Sequence, residues 1–309
     1  METDFAYVRP IQVQLCHEAA AMGDLEGVKD QVRQLLHSPD VPSVGEKPHP
    51  AWLYESLSEA IRQNNVEIVR YLLDENVANG DLPVETAVRW QAFEILELFL
   101  RYGWDVNQPM GRNEPPVLGY YFQLLFTYEL YLHILSIPLS TSDAKMTDWL
   151  LNHGANPNQR CNLDLTPTSY AKSNAPLETI QKLFSRGANI HHGQLLHHAV
   201  LRNKPDALEV VRWIVEKGAQ IDEIKYENDP KSFREQEPFG LGTPLHRAAE
   251  SGKVEIVTYL LSMGADSLKL DSKGCTPCFW AEEKGYGEVV DILKEAEDRQ
   301  LRDLGSPGA

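Results

Sequence analysis

Two cysteines near the C-terminus, Cys275 and Cys278, have the C-x-x-C spacing found in redox pairs and in half of a zinc site. The other two cysteines, Cys16 and Cys161, are far apart in the sequence and form no second pair that would complete such a site. Many cysteines are structural and inert rather than reactive. We therefore expect neither a metal nor a redox role for this pair, and we predict no cofactor.

Four of the ten histidines fall in one short segment, HHGQLLHHAV, as His191, His192, His197 and His198. Doubled histidines can bind a metal, but the chain contains no HExxH, GxSxG or phosphate-loop motif and no GxGxxG after a strand. Its Asp and Glu residues fall where solvent-facing helix positions are expected, so no catalytic carboxylate pair can be selected. The sequence therefore predicts a protein that is not an enzyme.

The charge balance narrows the class of partner. The chain of 309 residues carries 45 acidic and 29 basic side chains, for a formal net charge of -16. Such a chain repels phosphate backbones unless its basic residues cluster, and here Lys and Arg are scattered. We expect no direct nucleic-acid binding and a protein partner, with a basic partner favoured by the electrostatic field.

No segment predicts a membrane anchor or an export signal. The longest apolar stretch, residues 120–139, is interrupted by Gln123, Glu129 and His133, and the N-terminal METDFAYVRP has acids where a signal peptide needs bases. Four cysteines in a chain of this length do not suggest a disulfide framework. We expect a monomeric protein of the cytoplasm, the nucleus or both, without membrane contact.

An internal repeat positions these residues. GLGTPLHRAAESGKVEIVTYLLSMGADSL, residues 240–268, returns as KGCTPCFWAEEKGYGEVVDILKEA, and Thr243 and Thr276 are 33 residues apart. The phrases NHGANPN and SRGANI repeat with the same step of 33 between Gly154 and Gly187. The pattern in residues 243–266, TPLH-x-AA followed by IV-x-x-LL and GAD, resembles the ankyrin-repeat family.

The resemblance implies an all-α solenoid of stacked helix pairs with short finger loops, forming one domain over 1–309. We expect no sheet beyond short finger hairpins. The expected repeats, about eight in number, are 10–37, 52–80, 82–107, 112–158, 162–190, 192–222, 239–268 and 272–300.

Particular residues are expected to shape each repeat. Thr243 caps the first helix, Pro244 takes its first position, and His246 ties neighbouring repeats together. Gly264 ends the second helix in a left-handed conformation. Thr276 and Pro277 have the corresponding structural roles in the last repeat, His197 occupies the histidine position of repeat six, and Cys278 lies within the same motif of repeat eight.

Three insertions interrupt the repeats, at 38–51, 123–142 and 223–238, and a flexible tail is expected over 301–309. The first and third are rich in Pro or charge, so we predict exposed surface loops. The aromatic segment 120–135 favours an elongated first helix with Leu124, Leu125, Tyr128, Leu132 and Leu135 on the stack. The alternative is a wall that covers part of the concave groove and forms a pocket.

In this family the partner usually meets the finger loops and the exposed end of each first helix. The resemblance places Arg62, Arg89, Trp90, Tyr121, Phe122, Ser173, Arg202, Glu250 and Glu283 in those slots. The leading hypothesis is an adaptor that binds a protein on its concave face. One alternative is a nuclear coregulator that binds a basic transcription factor. Another is an unusual enzyme with a pocket beside 120–140, lined by Tyr120, Tyr121 and His133.

Overall fold

The computed structural model describes residues 10–36, 52–76, 82–111, 114–119, 121–123, 136–138 and 143–305. Its contacts divide the chain into two compact units, Met1–Asp105 and Val106–Ala309. The count of about eight repeats in a single domain stays a prediction.

The first unit consists of three helix pairs in its described part. The helices are α1 (Ile11–Met22), α2 (Leu25–Leu36), α3 (Tyr54–Arg62), α4 (Val66–Asp74), α5 (Val84–Arg89) and α6 (Phe93–Arg101). The first helices pack in the order α1, α3, α5, and the second helices pack in the order α2, α4, α6. We call the side formed by the first helices of the repeats the first-helix face.

Helix α4 shows how the sequence produces this pairing. Asn65 caps it, since its side-chain oxygen accepts a hydrogen bond from the backbone N–H of Ile68 at 3.2 Å. Ile68, Val69 and Leu72 recur at helical spacing and are fully buried. A short helix with one apolar stripe is stabilised by its neighbours rather than alone, so the repeats must stack.

The second unit contains the remaining helix pairs and the strands. Its elements are β1 (Pro109–Gly111), β2 (Glu114–Pro116), β3 (Tyr121–Gln123), β4 (Ser136–Pro138), α7 (Ala144–Asn152), α8 (Pro167–Asn174), α9 (Leu177–Ser185), α10 (Leu195–Val200), α11 (Ala207–Glu216), α12 (Pro230–Gln236), α13 (Pro244–Glu250), α14 (Val254–Ser262), α15 (Pro277–Lys284) and α16 (Gly287–Gly305). The first helices pack as α8, α10, α13 and α15, and each also contacts the second helix that follows it.

The predicted helix cap is present at α13. The Thr243 hydroxyl accepts from the backbone N–H of His246, and the Thr243 N–H donates to Nδ1 of the His246 ring at 3.0 Å. Nε2 of the same ring donates to the carbonyl of Cys275 at 3.1 Å, which ties repeat seven to repeat eight. Gly264 has a φ of +90°, the left-handed turn expected after α14. Thr243, His246 and Gly264 thus form a helix cap, a link between repeats and a turn at the positions where the repeat pattern has them.

The turns between repeats form a second ladder of hydrogen bonds. Asn107 donates to the carbonyl of Gly154 at 3.0 Å and accepts from the N–H of Asn156 at 2.7 Å. Asn158 bonds in the same way to the backbone of Gly187 and Asn189, at 2.7 Å each. Asn107 and Asn158 therefore each join one turn to the backbone of the next GAN phrase.

Repeat four departs from the prediction. Its expected first helix is a short 3-10 helix, Val117–Gly119, and β3 follows it where an elongated helix was predicted. Strand β3 pairs with β4 in an antiparallel ladder, so the expectation of no sheet beyond finger hairpins is wrong here. The five residues expected to pack along an elongated helix lie outside the described part of the chain.

The expectations for the insertion 223–238 and for the tail 301–309 need correction. The insertion 38–51 lies outside the described residues. The insertion 223–238 is not a simple exposed loop, because it contains α12, and Tyr226 within it is only 4% exposed. Residues 301–305 of the predicted tail belong to α16. No helix among the residues described here combines the length and the apolar composition needed to cross a bilayer.

Candidate functional site

The predicted partner-binding residues of the first unit lie at the ends of α3 and α5. Arg62 forms an ion pair with Glu59 at 2.8 Å, and its side chain is 40% exposed. Arg89 pairs with Glu85 at 2.7 Å and is 38% exposed. Hydrogen bonds from Gln63 and from Arg62 lower the pKa of the Glu59 carboxyl. Both arginines are therefore held along their own helices with part of the side chain at the surface.

Trp90 follows Arg89 at the C-terminal end of α5. Its side chain is 55% exposed, although burying an indole stabilises a protein by more free energy than burying most side chains does. Since α3 packs on α5, this end of the first-helix face presents Arg62, Arg89 and Trp90 on neighbouring helices. The structure thus brings these three predicted residues to one part of the first unit.

Arg202 was predicted to be exposed, and that prediction is wrong because its side chain is only 1% exposed. Its guanidinium donates two hydrogen bonds of 2.6 Å to the carboxylate of Asp206, which lower the pKa of that carboxyl. It also donates to the carbonyl of Lys172 at 3.2 Å. Arg202 links repeat six to repeat five and is not available to a partner.

The other predicted residues are distributed over the second unit. Glu283 is exposed on α15. Glu250 is half-buried and forms an ion pair with Arg247, with 2.8 Å between the guanidinium nitrogen and the carboxylate oxygen. Tyr121 and Phe122 lie in β3 rather than in a helix, and Ser173 lies in α8. The structure describes the backbone of these three residues but not their side chains.

A buried lysine was missed by the sequence analysis. Lys172 is fully buried in α8, and its Nζ has no hydrogen-bond partner. The ammonium lies 4.4 Å from the ring centre of Phe184 and 5.9 Å from that of Trp213. Burial lowers the pKa of Lys172 well below its usual value. The signal was present in the sequence, because Lys172 stands where repeat seven has Ala249.

The cysteines of the C-x-x-C pair and His197 have shifted pKa values. Burial raises the pKa of the Cys278 thiol to about 11 and also raises that of Cys275, which disfavours the thiolate. His197 donates from Nε2 to the carbonyl of Gly242 at 3.1 Å, and burial lowers its pKa to about 3. Within the described ranges, no group of three or more His, Cys, Asp or Glu side chains could hold a metal ion.

A groove of about 550 Å³ lies between the first and second repeats, and none of the predicted partner residues lines it. Its lining includes Ile11, Val13, Gln14, His17, Trp52 and Glu55. Nδ1 of His17 is buried without a hydrogen-bond partner. Of the residues expected to line a pocket beside 120–140, Tyr120 and His133 lie outside the described residues.

Comparison with known proteins identifies the repeat. The family model described as Ankyrin repeats (3 copies) matches residues 196–303, which include α11 to α15. The human Transient receptor potential cation channel subfamily A member 1 is 22% identical over 90% of this chain and 26% of the channel.

Two further relatives match shorter parts. The Danio rerio Palmitoyltransferase ZDHHC17 is 28% identical over 40% of this chain and 19% of its own length. The Saccharomyces cerevisiae Probable 26S proteasome regulatory subunit p28 is 27% identical over 42% of this chain and 54% of its own length. The chain thus spans about half of the yeast protein and about a quarter or less of the other two. Residues 196–303 are therefore ankyrin repeats, which form the architecture of a protein-interaction module.

Proposed function

We propose that this chain is a binding module without catalysis, which recognises a protein partner on its first-helix face, the side predicted to be concave. The observation that carries the proposal is Trp90, 55% exposed beside Arg89 at the end of α5. Aromatic and Arg side chains are the usual anchors of protein interfaces. The yeast relative also supports it, since its name describes a subunit of a larger assembly.

The net charge of -16 supports a basic partner, because the protein field attracts cationic surfaces and repels nucleic acid. We propose that the protein acts as a monomer in the cytoplasm or the nucleus. A second candidate, favoured by the same charge, is a nuclear coregulator that binds a basic transcription factor. Nuclear enrichment together with recovery of such a factor would distinguish it from a cytoplasmic adaptor.

The test combines quantitative affinity capture with thermal unfolding of two variants. Arg89→Ala combined with Trp90→Ala should reduce recovery of the partner, while each exposed substitution changes stability by at most about 0.5 kcal/mol. Leu260→Ala should have the opposite effect. Leu260 is fully buried, so its truncation should cost about 2–5 kcal/mol and affect binding only through unfolding.

Arg101→Ala is the matched control, because Arg101 is an arginine of the same repeat whose side chain is 71% exposed on the second helix. This variant should capture the partner as well as the unaltered protein does. Equal capture by the Arg89/Trp90 double variant would contradict the proposed face. Unfolding of that double variant would show that the two residues belong to the core.

A further inference from the structure

The groove between the first and second repeats is mostly apolar and opens to solvent. Ile11 and Val13 line it from α1, and Trp52 lines it from the residues just before α3. Ile11 is 59% exposed, so a bound molecule has access to the groove from the surface. Its volume of about 550 Å³ falls within the range of about 300–1,000 Å³ found for ligand pockets. The groove is therefore large enough to take up an apolar side chain of a partner.

Helix α1 carries an exposed apolar stripe beside this groove. Ile11, Leu15 and Met22 recur at a spacing that places them on one side of the helix, and they are 59%, 40% and 75% exposed. The four buried residues of the helix lie away from that side, and the helix packs against α2 and α3. Exposed apolar side chains that cluster mark interaction surfaces. Ile11 belongs to both the stripe and the groove, and we call the two together the α1 surface.

The charged side chains of the α1 surface are acidic. Glu55 lines the groove, and Glu18 lies on α1 between Leu15 and Met22. Both are exposed, and neither forms an ion pair with a Lys or Arg in the described part of the chain. Glu18 accepts a hydrogen bond of 3.0 Å from the neutral side chain of Gln14, which leaves its charge uncompensated. Two such carboxylates attract positive charge, and the net charge of -16 acts in the same direction.

We propose that the α1 surface binds a basic amphipathic segment of the protein partner. The segment inserts an apolar side chain into the groove and places Lys or Arg beside Glu55 and Glu18. A second copy of this chain is disfavoured as the occupant, because it carries the same net charge of -16. This inference rests on the proposed function, for which it names the chemistry of the partner.

The α1 surface adjoins the residues proposed to anchor the partner. Glu55 and Arg62 stand at opposite ends of α3, about 10 Å apart along the helix axis. Helix α3 packs against α1 on one side and against α5 on the other. One bound segment can therefore extend from the groove to the ends of α3 and α5, where Arg62, Arg89 and Trp90 lie.

The first test is fluorescence polarisation with a labelled synthetic peptide of leucine and lysine, arranged with the period of an amphipathic helix. Ile11→Ser should weaken binding of this peptide by about fivefold or more, because an apolar contact is lost. Glu55→Gln should weaken it by about two- to fivefold, the effect of losing an exposed ion pair. Glu94→Gln is the matched control, since Glu94 is an exposed carboxylate on the second helix α6, and it should leave the dissociation constant unchanged.

The same titration tests the chemistry of the occupant. A peptide with glutamate in place of lysine should bind at least about tenfold more weakly, and equal binding would overturn the assignment to a basic segment. Equal losses for Glu55→Gln and Glu94→Gln would show attraction to the net charge alone and would overturn the site. Sedimentation that shows a dimer abolished by Ile11→Ser would assign the surface to a second copy, against the proposal.

Affinity capture of the partner separates this inference from the proposed function. Ile11→Ser combined with Glu55→Gln should lower recovery of the partner, as should Arg89→Ala combined with Trp90→Ala. Loss of recovery with the Arg89/Trp90 variant alone would uphold the proposed function and overturn the α1 surface. Loss with the Ile11/Glu55 variant alone would support the α1 surface and contradict the anchor at Trp90. Unchanged recovery with both variants would contradict both proposals.

Discussion

Trp90 and Arg202 occupy equivalent positions in two regions of the molecule, yet their surroundings are opposite. Each stands two residues after a buried valine of a first helix, Val88 in the first unit and Val200 in the second. Trp90 is 55% exposed, whereas Arg202 is 1% exposed. Position within the repeat therefore does not determine exposure, and the residues that follow the helix do.

The connecting segments explain the difference. Residues 90–92 join α5 to α6, a turn too short to fold over the Trp90 ring. Residues 201–206 join α10 to α11, and Asp206 at the end of this longer segment turns its carboxylate towards Arg202. A polar residue in such a slot is buried when its own connection supplies a partner, and it is exposed when the connection does not.

Among the variants that test this comparison, the largest effect is expected for Arg202→Ala. The substitution removes a buried guanidinium together with its bonds to Asp206 and to the carbonyl of Lys172. Since hydrogen bonds to charged groups are worth more than neutral ones, it should lower the free energy of unfolding by about 2–4 kcal/mol. Urea unfolding followed by circular dichroism measures the change.

Trp90→Ala sharpens this comparison, because it alters the equivalent slot and should change the unfolding free energy by at most about 0.5 kcal/mol. Arg202→Lys keeps the charge but cannot form the paired bonds to Asp206, so its stability should lie between those of the unaltered protein and Arg202→Ala. Equal stabilities of Arg202→Ala and Trp90→Ala would contradict the difference in burial between the two positions.

Lys172→Met should stabilise the protein. The ammonium of Lys172 is fully buried over Phe184 and Trp213 without a hydrogen bond, and methionine fills a similar volume without a polar group. We expect a gain of about 1–3 kcal/mol near neutral pH, measured by urea unfolding. A loss of stability would show that the lysine has a favourable role in the core.

The same variant has a predicted pH dependence. The pKa of Lys172 is lowered on folding, so the unfolded chain binds more protons at any pH between the folded and unfolded pKa values. Stability of the unaltered protein therefore rises with pH across that window, and the advantage of Lys172→Met should shrink as pH increases. An advantage that grows from neutral to alkaline pH would contradict this assignment.

A smaller loss of stability is expected for the hydrogen bonds that link one repeat to the next. The same position of the repeat supplies the donor in both cases, as a histidine in repeat seven and as a serine in repeat five. His246 donates to the carbonyl of Cys275 at 3.1 Å, and the hydroxyl of Ser169 donates to the carbonyl of Gly193 at 2.6 Å. His246→Ala should cost about 1–2 kcal/mol and Ser169→Ala about 1 kcal/mol, because each removes the donor to a carbonyl that is partly or fully buried. Thermal unfolding of the two variants checks the values, and unchanged melting temperatures would show that neither bond links the repeats.

The framework could be predicted from the sequence because its signals are local. The Thr243 cap, the following proline and the turn at Gly264 each depend on residues within one repeat, and all are present. The His246 link to Cys275 joins two consecutive repeats and follows from the repeat register. The buried stripe at Ile256, Val257 and Leu260 likewise follows from helical spacing.

The departures depend on contacts between distant segments, which spacing does not contain. Arg202 is buried by its own connection and by Lys172 of the preceding repeat. Lys225 is positioned by backbone bonds that join the insertion to Gly242. Strand β3 replaces a predicted helix because it pairs with β4, thirteen or more residues further along the chain. The apolar pattern of the aromatic insertion alone did not predict that pairing.

The most direct test of the central claim is hydrogen exchange of the protein with and without its captured partner. Binding on the first-helix face should slow exchange at the ends of α3 and α5 and in the turns that follow them. Exchange in the second helices α4 and α6 should change less, since they lie on the other side of each pair. Protection concentrated in α4 and α6, with α3 and α5 unchanged, would contradict a partner site on the first-helix face.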